Sequence, residues 1–471
     1  MHKSRIATVA LAICGIALST SSNAQDVTFT KAWELLQQQN NSLAASRANV
    51  ERYQQLQSAK KSLNLPSISL EANYTRLDDD VTLSGEQLLD SITGLPSAGS
   101  IPPAFQPYLS ALGSSYSTLA EKDVFTSSIR AIWPVFTGGK INSAQAIAAG
   151  QTEEARAQLA METQARYEDL AKYYFGVVLS KQVLNTYQQV EQGLQQHLDF
   201  AIKMENQGQV AKVERLQAEA SLAKATVDRK KAERDLDIAV AALTQILNQP
   251  VSVNPVSELF INSDPGELDE YITKTLQDYP GLSILEAKQK QAQGLIKVEK
   301  SKYYPDVFLY GNYSLYHDDS LTSQLTPDWF VGVGMSLPLL ETSGRSNQVQ
   351  AAHSTVKQID YMRAQAMQDL GVLVQKTHLE AEQAIEEVKG LEASISLATE
   401  NLNLRKKAFT QGLSSSLDVV DAELYLAQIQ TQQHVAQYSY LIALNRLLAL
   451  SNSMQEFRFY EQRPLTLATH S

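Results

Sequence analysis

The two halves of the chain carry the same order of sequence signals. The first copy contains Lys61-Ser62, Pro66 and Asn73-Tyr74, and the second contains Lys300-Ser301, Pro305 and Asn312-Tyr313 at matching spacings. In each copy, two stretches of alternating polar and apolar residues follow, and then a long run without proline. An internal repeat fixes the unit from which a fold is built. The sequence therefore predicts two similar structural repeats, at 25–249 and 267–452.

The long proline-free runs predict helices longer than those of most globular domains. They are rich in Ala, Gln, Leu, Glu and Lys, which favour helix. Apolar residues recur at three- and four-residue steps, as in an amphipathic helix with a coiled-coil seam. Gly208 and Gly412 interrupt the runs, and glycine can end a helix in the left-handed conformation. We therefore expect helical hairpins at 141–248 and 346–451, with first arms of about 90 Å at 1.5 Å per residue.

A shorter helix is expected at the start of each repeat, at about Thr30–Leu63 and Glu267–Ser301. Pro66 and Pro305 end these helices, because the residue before a proline is displaced from the helical region. A linker at 250–266 and a C-terminal tail at 453–471 complete the expected organisation.

Four alternating segments predict β-strands at about 67–77, 124–136, 306–316 and 328–339. Each has the length of a membrane-spanning strand, although the same alternation also fits a half-buried sheet in a soluble domain. Four strands cannot close a membrane barrel, since the smallest have about eight. Either the strands lie outside a membrane or several chains share one barrel, and three chains would supply twelve strands. The connection at 78–123 is longer than its counterpart and predicts a long outer loop.

The N-terminus is expected to be a signal peptide. Residues 1–24 combine a basic start, an apolar stretch and the small-residue sequence Ser22-Asn23-Ala24, so the mature chain is expected to begin at Gln25. The single cysteine, Cys14, lies in this segment, where a lipid-anchor interpretation is the alternative. The net charge of −11 is unlike that of a nucleic-acid binder.

No set of residues in the sequence indicates an enzyme or a cofactor. The seven histidines are scattered and form no metal-ligand motif, and no nucleophile, base and acid are grouped. The sequence therefore predicts no catalytic site, no metal and no cofactor.

The chain resembles the outer membrane efflux proteins, the TolC family. The resemblance rests on the duplicated unit, on Trp133-Pro134-Val135-Phe136-Thr137-Gly138-Gly139-Lys140 where a strand turns into a long helix, on its echo Leu337-Pro338-Leu339-Leu340, and on Asp418-Val419-Val420-Asp421 after Gly412. It implies a mainly α fold with a small β part. In that fold a homotrimer forms a twelve-stranded outer-membrane barrel, continued by a periplasmic helical tunnel.

The resemblance also implies a function and partners. The chain would be the outer-membrane exit duct of a tripartite efflux pump, joined to an inner-membrane transporter through a periplasmic adaptor protein. The alternative is the exit duct of a type I protein secretion system, and the alternatives of another class are a periplasmic adaptor or a coiled-coil scaffold. Outer-membrane lipid would surround the strands.

The candidate site lies at the second glycine break. Asp418 and Asp421 are three residues apart, so they share a helix face and could present stacked carboxylate rings that favour cations. The alternative is that they are first-turn acids that stabilise a helix N-terminus. The resemblance favours an acidic constriction here and makes Glu214 a weaker candidate in the first repeat.

The resemblance adds two expectations about the hairpin ends. Phe409 and Ser414 stand where some family members have a Tyr and an Arg that lock the closed tip, so Phe409 is a weaker candidate for the gate. Gly208, Gly412 and Leu413 would form the hairpin ends that meet the adaptor.

Overall fold

The computed structural model of the chain describes residues 25–85, 87, 108, 111, 116–316, 327–340 and 342–465. The expected signal peptide, the middle of the 78–123 insertion and the end of the C-terminal tail lie outside these residues. The strands are β1 (Gln25–Val27), β2 (Ser67–Arg76), β3 (Val81–Ser84), β4 (Tyr116–Ala120), β5 (Asp123–Thr137), β6 (Val253–Pro255), β7 (Asp306–Tyr316) and β8 (Trp329–Ser336). The helices are α1 (Phe29–Gln39), α2 (Asn41–Lys61), α3 (Lys140–Asn206), α4 (Lys212–Ile246), α5 (Leu268–Asp278), α6 (Pro280–Ser301), α7 (Arg345–Thr410), α8 (Ser416–Leu450) and α9 (Phe457–Glu461).

The prediction of a mainly helical chain with a small β part is confirmed. The chain divides into two compact units. The strand unit comprises residues 49–156 and 283–364, and the core unit comprises the described parts of residues 1–48, 157–282 and 365–471. Within the described residues, no helix is both long enough and apolar enough to span a membrane.

The strand unit is built on a four-stranded antiparallel sheet in the order β2-β5-β7-β8. The register places apolar residues side by side across all four strands, and one such row is Leu70, Ile129, Tyr313 and Trp329. All four side chains of this row are exposed in the single chain. One face of the sheet is therefore an exposed apolar surface.

The opposite face is mixed rather than polar. Glu71 and Arg130 form an ion pair on it at 3.2 Å, but Tyr310 and Phe330 also lie there with ring centroids 6.2 Å apart. A Cβ on Gly332 would lie 2.6 Å from Cζ of Tyr310, so the glycine leaves the space that the ring fills. The small residues of β8 thus serve the packing of neighbouring aromatic rings.

The expected long loop at 78–123 is not wholly a loop. Its two ends form a second antiparallel pair, β3 with β4, with an irregularity between Val81 and Thr82. Val81, Thr82 and Leu83 are residues that favour strands. The insertion therefore begins and ends as strand.

The expectation of one helix at the start of each repeat is wrong in both repeats. The first is broken between α1 and α2 at Asn40, whose extended backbone ends α1 and whose side chain accepts hydrogen bonds from the backbone N–H groups of Ser42 and Leu43. The second is broken at Tyr279, directly before Pro280, where the backbone is again extended. The proline imposes the second break, and the asparagine caps the helix after the first.

The core unit is held by the C-terminal half of α8. Tyr440, Leu444 and Leu447 of this helix are fully buried among Tyr167 and Tyr174 of α3 and other apolar residues. A helix that is apolar on most of its surface must be buried on most of its surface. The α8 end is therefore the central element of this core, and the α3 and α7 helices pack around it.

Candidate functional site

Both long hairpins end in turns of the same geometry. Gly208 and Gly412 have φ of 73° and 71°, in the left-handed region that favours glycine. In the second turn the N–H of Leu413 bonds to the carbonyl of Ala408, and Gln209 bonds to Met204 in the same way in the first. These bonds satisfy carbonyls that the helix end leaves without partners. The Leu413 side chain is 77% exposed at the outermost part of its turn.

Asp418 lies in the first turn of α8 and forms a capping box. Its Oδ2 accepts hydrogen bonds from the backbone N–H and the hydroxyl of Ser415, at 2.9 and 2.7 Å, and Ser414 donates another at 3.1 Å. The bonds from Ser415, then the one from Ser414, and the charge of Arg405 hold the pKa of Asp418 below its usual value. Its Oδ1 lies 3.3 Å from Nη1 of Arg405. Asp418 is therefore an ionised carboxylate at neutral pH.

Asp421 is exposed one turn further along α8. It has no hydrogen-bond or ion-pair partner within the described part of the chain, so its charge is presented to solvent. The two aspartates thus differ in environment, because Asp418 is fixed by a cap and an arginine whereas Asp421 is not.

Glu214 does not present a free carboxylate. It lies in the first turn of α4, and its Oε2 accepts a hydrogen bond of 2.6 Å from the backbone N–H of Ser416, the first residue of α8. The acid that the sequence placed in the first repeat thus caps a helix of the second repeat. This contact joins the two hairpins.

Phe409 packs inside the helices rather than on an open surface. Its side chain is 1% exposed, and it lies in a buried cluster with Ala201, Met204 and Val419. The ring of His197 is 4.6 Å away, centroid to centroid. The position that carries a lock residue in some family members is therefore part of the hairpin interior here.

Sequence reasoning did not find three polar residues at this end of the hairpins. His197 of α3 lies with Nε2 2.6 Å from Oγ of Ser416, and Lys406 of α7 lies 2.8 Å from Oε2 of Glu423 of α8. The geometry of the Lys406–Glu423 contact is that of an ion pair and not of a well-directed hydrogen bond. Glu423 belongs to Ala422-Glu423, which repeats Ala218-Glu219 of the first hairpin, and this repeat was the one sequence signal available. A single histidine on a polar helix gave none.

The start of α8 presents negative charge beside a turn. Two carboxylates, one fixed and one exposed, lie at the start of a helix beside a turn, and the charged groups around them are already paired. Among the described residues, no group of His, Cys, Asp and Glu side chains has the geometry to hold a metal ion. The site fits a surface that cations or a partner protein would contact.

The chain combines a sheet that exposes one apolar face with two long helical hairpins that have matching glycine turns. The family model described as "Outer membrane efflux protein" matches residues 33–249 and 271–453, and the chain belongs to this family. The expected resemblance is thereby confirmed. Members of the family are channels and not enzymes. They are located in the outer membrane, and this chain is an outer-membrane protein.

Solved structures share the fold at low sequence identity. The outer-membrane protein CusC matches with a TM-score of 0.72 and 14% identity, covering 92% of this chain and 95% of its own. VceC of Vibrio cholerae matches with 0.69 and 15%, covering 90% and 96%, and the MtrE channel of Neisseria gonorrhoeae with 0.70 and 18%, covering 96% and 98%. No curated protein matches the chain by sequence.

Proposed function

We propose that the chain is the passive exit duct of a tripartite efflux pump, assembled as a homotrimer and joined to an inner-membrane transporter through a periplasmic adaptor. The observation that carries the proposal is the sheet, which exposes one apolar face and leaves β2 and β8 as edge strands. Open sheet edges are not stable in lipid. The edges therefore need strands of other copies, and three copies supply twelve.

The helical hairpins support assembly independently. Val213, Leu216, Val227 and Ile238 of α4 are exposed, as are Val372, Leu379, Leu397 and Leu404 of α7. The intervals are 3, 11 and 11 residues in α4 and 7, 18 and 7 residues in α7, and each set therefore lies along one side of its helix, as apolar seams do. Exposed apolar seams of this length favour packing against helices of another copy.

Asp418 and Asp421 form the proposed acidic constriction. Three copies would bring six carboxylates to the end of the tunnel, and carboxylate rings favour cations. Arg405 neutralises part of the Asp418 charge in each copy, so the exposed Asp421 would contribute most of the field. Phe409 is not assigned to the constriction, because it is buried.

Gly208, Gly412 and Leu413 are the proposed contact points for the adaptor. The two turns share one backbone geometry, and Leu413 offers an apolar side chain that nothing in the described chain covers. An exposed leucine at a turn would be stabilised by burial against an apolar groove or helix of a partner. A Leu413→Asp variant that binds the adaptor as tightly as the wild type contradicts this assignment.

The constriction is tested in a planar bilayer with the purified trimer. The variant Asp418→Ala plus Asp421→Ala is expected to lose most of its cation selectivity and its block by divalent cations. The control, Asp235→Ala plus Asp237→Ala on α4, removes two exposed charges away from the turns and is expected to keep both properties. Unchanged selectivity in the first variant would show that the constriction lies elsewhere.

The assembly and the type I secretion alternative have their own measurements. Membrane fractionation with an unheated gel should place a trimer in the outer membrane. Deletion of the gene should raise sensitivity to small toxic compounds if the duct serves efflux. Loss of a secreted protein without that sensitivity would favour the secretion system instead.

A further inference from the structure

Ser416, the first residue of α8, is bonded to the other hairpin through its backbone N–H and its hydroxyl group. Its backbone N–H donates to Oε2 of Glu214 on α4, and its Oγ lies 2.6 Å from Nε2 of His197 on α3. Ser416 is fully buried, and His197 is nearly so. We call Ser416, Glu214 and His197 the Ser416 clamp.

The clamp lies inside an apolar cluster and not on the surface. The Phe409 ring lies 4.6 Å from the His197 ring, centroid to centroid, at an interplanar angle of 57°, and Ala201, Met204 and Val419 complete the packing. In apolar surroundings a hydrogen bond is strengthened by the low dielectric constant, and a buried polar group that loses its partner destabilises the structure. The start of α8 is therefore fixed to the first hairpin at one point.

The same start of α8 carries the acidic constriction. Asp418 and Asp421 follow Ser416 by two and five residues on a continuous helix. Because the three residues lie on one helix, a shift of Ser416 would move both carboxylates together.

We propose that the Ser416 clamp positions the Asp418 and Asp421 carboxylates in the closed duct, and that protonation of His197 releases the start of α8. This inference rests on the proposed function, because it assigns a regulator to the proposed constriction. His197, Glu214 and Ser416 are positioning residues in it and contact no cargo.

Charged groups from two other helices act on the imidazole. Glu214 acts from α4 and Lys406 from α7, and Lys406 is itself paired with Glu423 of α8. Burial first, and the Lys406 charge second, lower the pKa of His197 to about 4, while Glu214 acts in the opposite direction. A proton on His197 would place a buried positive charge near the partly exposed Lys406.

The direction of the pH effect follows from this difference. A released, solvated imidazole has an ordinary pKa of about 6.5. Well above pH 6.5 neither form is protonated and the clamp has its full strength, and as the pH falls from there towards 4 the released form gains the proton before the clamped form does. Between pH 7.5 and pH 5 the ratio of released to clamped states is expected to rise by up to about 30-fold. Asp418 stays ionised in this window, because its pKa is lowered.

A cavity of about 180 Å³ borders His197, Phe200, Lys406 and Phe409, which is large enough for several water molecules. There is therefore room for water beside the imidazole when the start of α8 is released.

The test is the frequency of channel openings in a planar bilayer at pH 7.5 and pH 5. The wild type is expected to open more often at pH 5, by up to about 30-fold. In His197→Gln the step should vanish, because an amide does not titrate in this range. His434→Gln is the matched control, since His434 is a partly buried histidine with a lowered pKa, on α8 but bonded to Gln437, and it should keep the wild-type step.

Hydrogen exchange of the wild-type trimer provides a second measurement. After correction for intrinsic rates, the amides of 416–421 should lose protection at pH 5, whereas those of 436–449 should not. A pH step that persists in His197→Gln, or equal protection of 416–421 at both pH values, overturns the inference. Cation selectivity reports on the constriction and the pH step on the clamp, so either can fail while the other holds.

Discussion

Ser416 shows how much of a site can depend on a residue that a sequence pattern does not single out. The Asp-x-x-Asp spacing pointed to Asp418 and Asp421, and their place at the start of a helix after a glycine turn could be predicted. Their environments could not, because Ser415, Arg405 and the turn decide them. His197 contacts Ser416 across 219 positions of sequence, and no local pattern encodes a contact of that kind.

The capping box of Asp418 and its proposed place in a constriction are compatible. Both oxygens are used, one by the cap and one by Arg405, yet the group remains charged. The first-turn acid that stabilises its helix and the acid that shapes an ion's path can be the same residue.

The Arg405→Ala substitution tests the share of charge that the arginine neutralises. Without Arg405, Asp418 is expected to present its full negative charge, so block of the trimer by divalent cations should tighten several-fold. The Arg405–Asp418 ion pair is largely exposed, so the loss of stability should be under about 1 kcal/mol. Titration of the bilayer current with a divalent cation measures the block.

Arg234→Ala is the matched control for Arg405→Ala. It removes an arginine from an exposed ion pair with Asp237, one turn within α4 and away from the glycine turns. Its block should equal that of the wild type. Equal block in both variants, or weaker block in Arg405→Ala, contradicts a role for Arg405 at the constriction.

Secondary-structure elements followed from the sequence where a single period persisted. The four strands of the main sheet and both long hairpins have that property, with alternation in one case and three- and four-residue steps in the other. The breaks at Asn40 and Tyr279 were missed although each carried a local signal. Pro280 carried the signal for the second break, and the capping side chain of Asn40 carried it for the first. Strands β3 and β4 are the two ends of a long insertion, and local alternation does not show that they pair with each other.

The Gly332→Ala substitution tests the packing between β7 and β8. The added Cβ would lie 2.6 Å from the Tyr310 ring, so the ring must move, and overpacking of this kind costs about 1–3 kcal/mol. We expect the folded form on an unheated gel to be lost at a lower temperature than in the wild type.

Tyr310→Ala provides the matched background for that experiment. With the ring removed, Gly332→Ala should cost little, so the two substitutions should be strongly non-additive. Additive losses would mean that the glycine is required for another reason than the approach of Tyr310.

The exposed apolar surfaces of the sheet and of two helices support the proposed assembly of several chains. The sheet exposes its apolar row and α4 and α7 expose their seams, whereas the C-terminal half of α8 is buried. A single chain therefore leaves apolar surface uncovered on the sheet and on these two helices. The internal repeat predicts this, because it supplies four strands where a closed barrel needs at least eight.

The Val227→Asp substitution separates the fold of one chain from the assembly of several. Val227 lies on α4 with its side chain 64% exposed in the single chain, so an aspartate there should leave the monomer fold unaffected within about 0.5 kcal/mol. In a helix seam between copies the same carboxylate would be buried without a partner, which is strongly unfavourable. We therefore expect the trimer band on an unheated gel to be lost while the far-ultraviolet circular dichroism of the solubilised chain is retained. Val227→Thr is the matched control, because it keeps the branched shape without a charge and should still assemble. If Val227→Asp forms trimers as well as the wild type does, this face of α4 points to solvent and the proposed packing between copies is wrong.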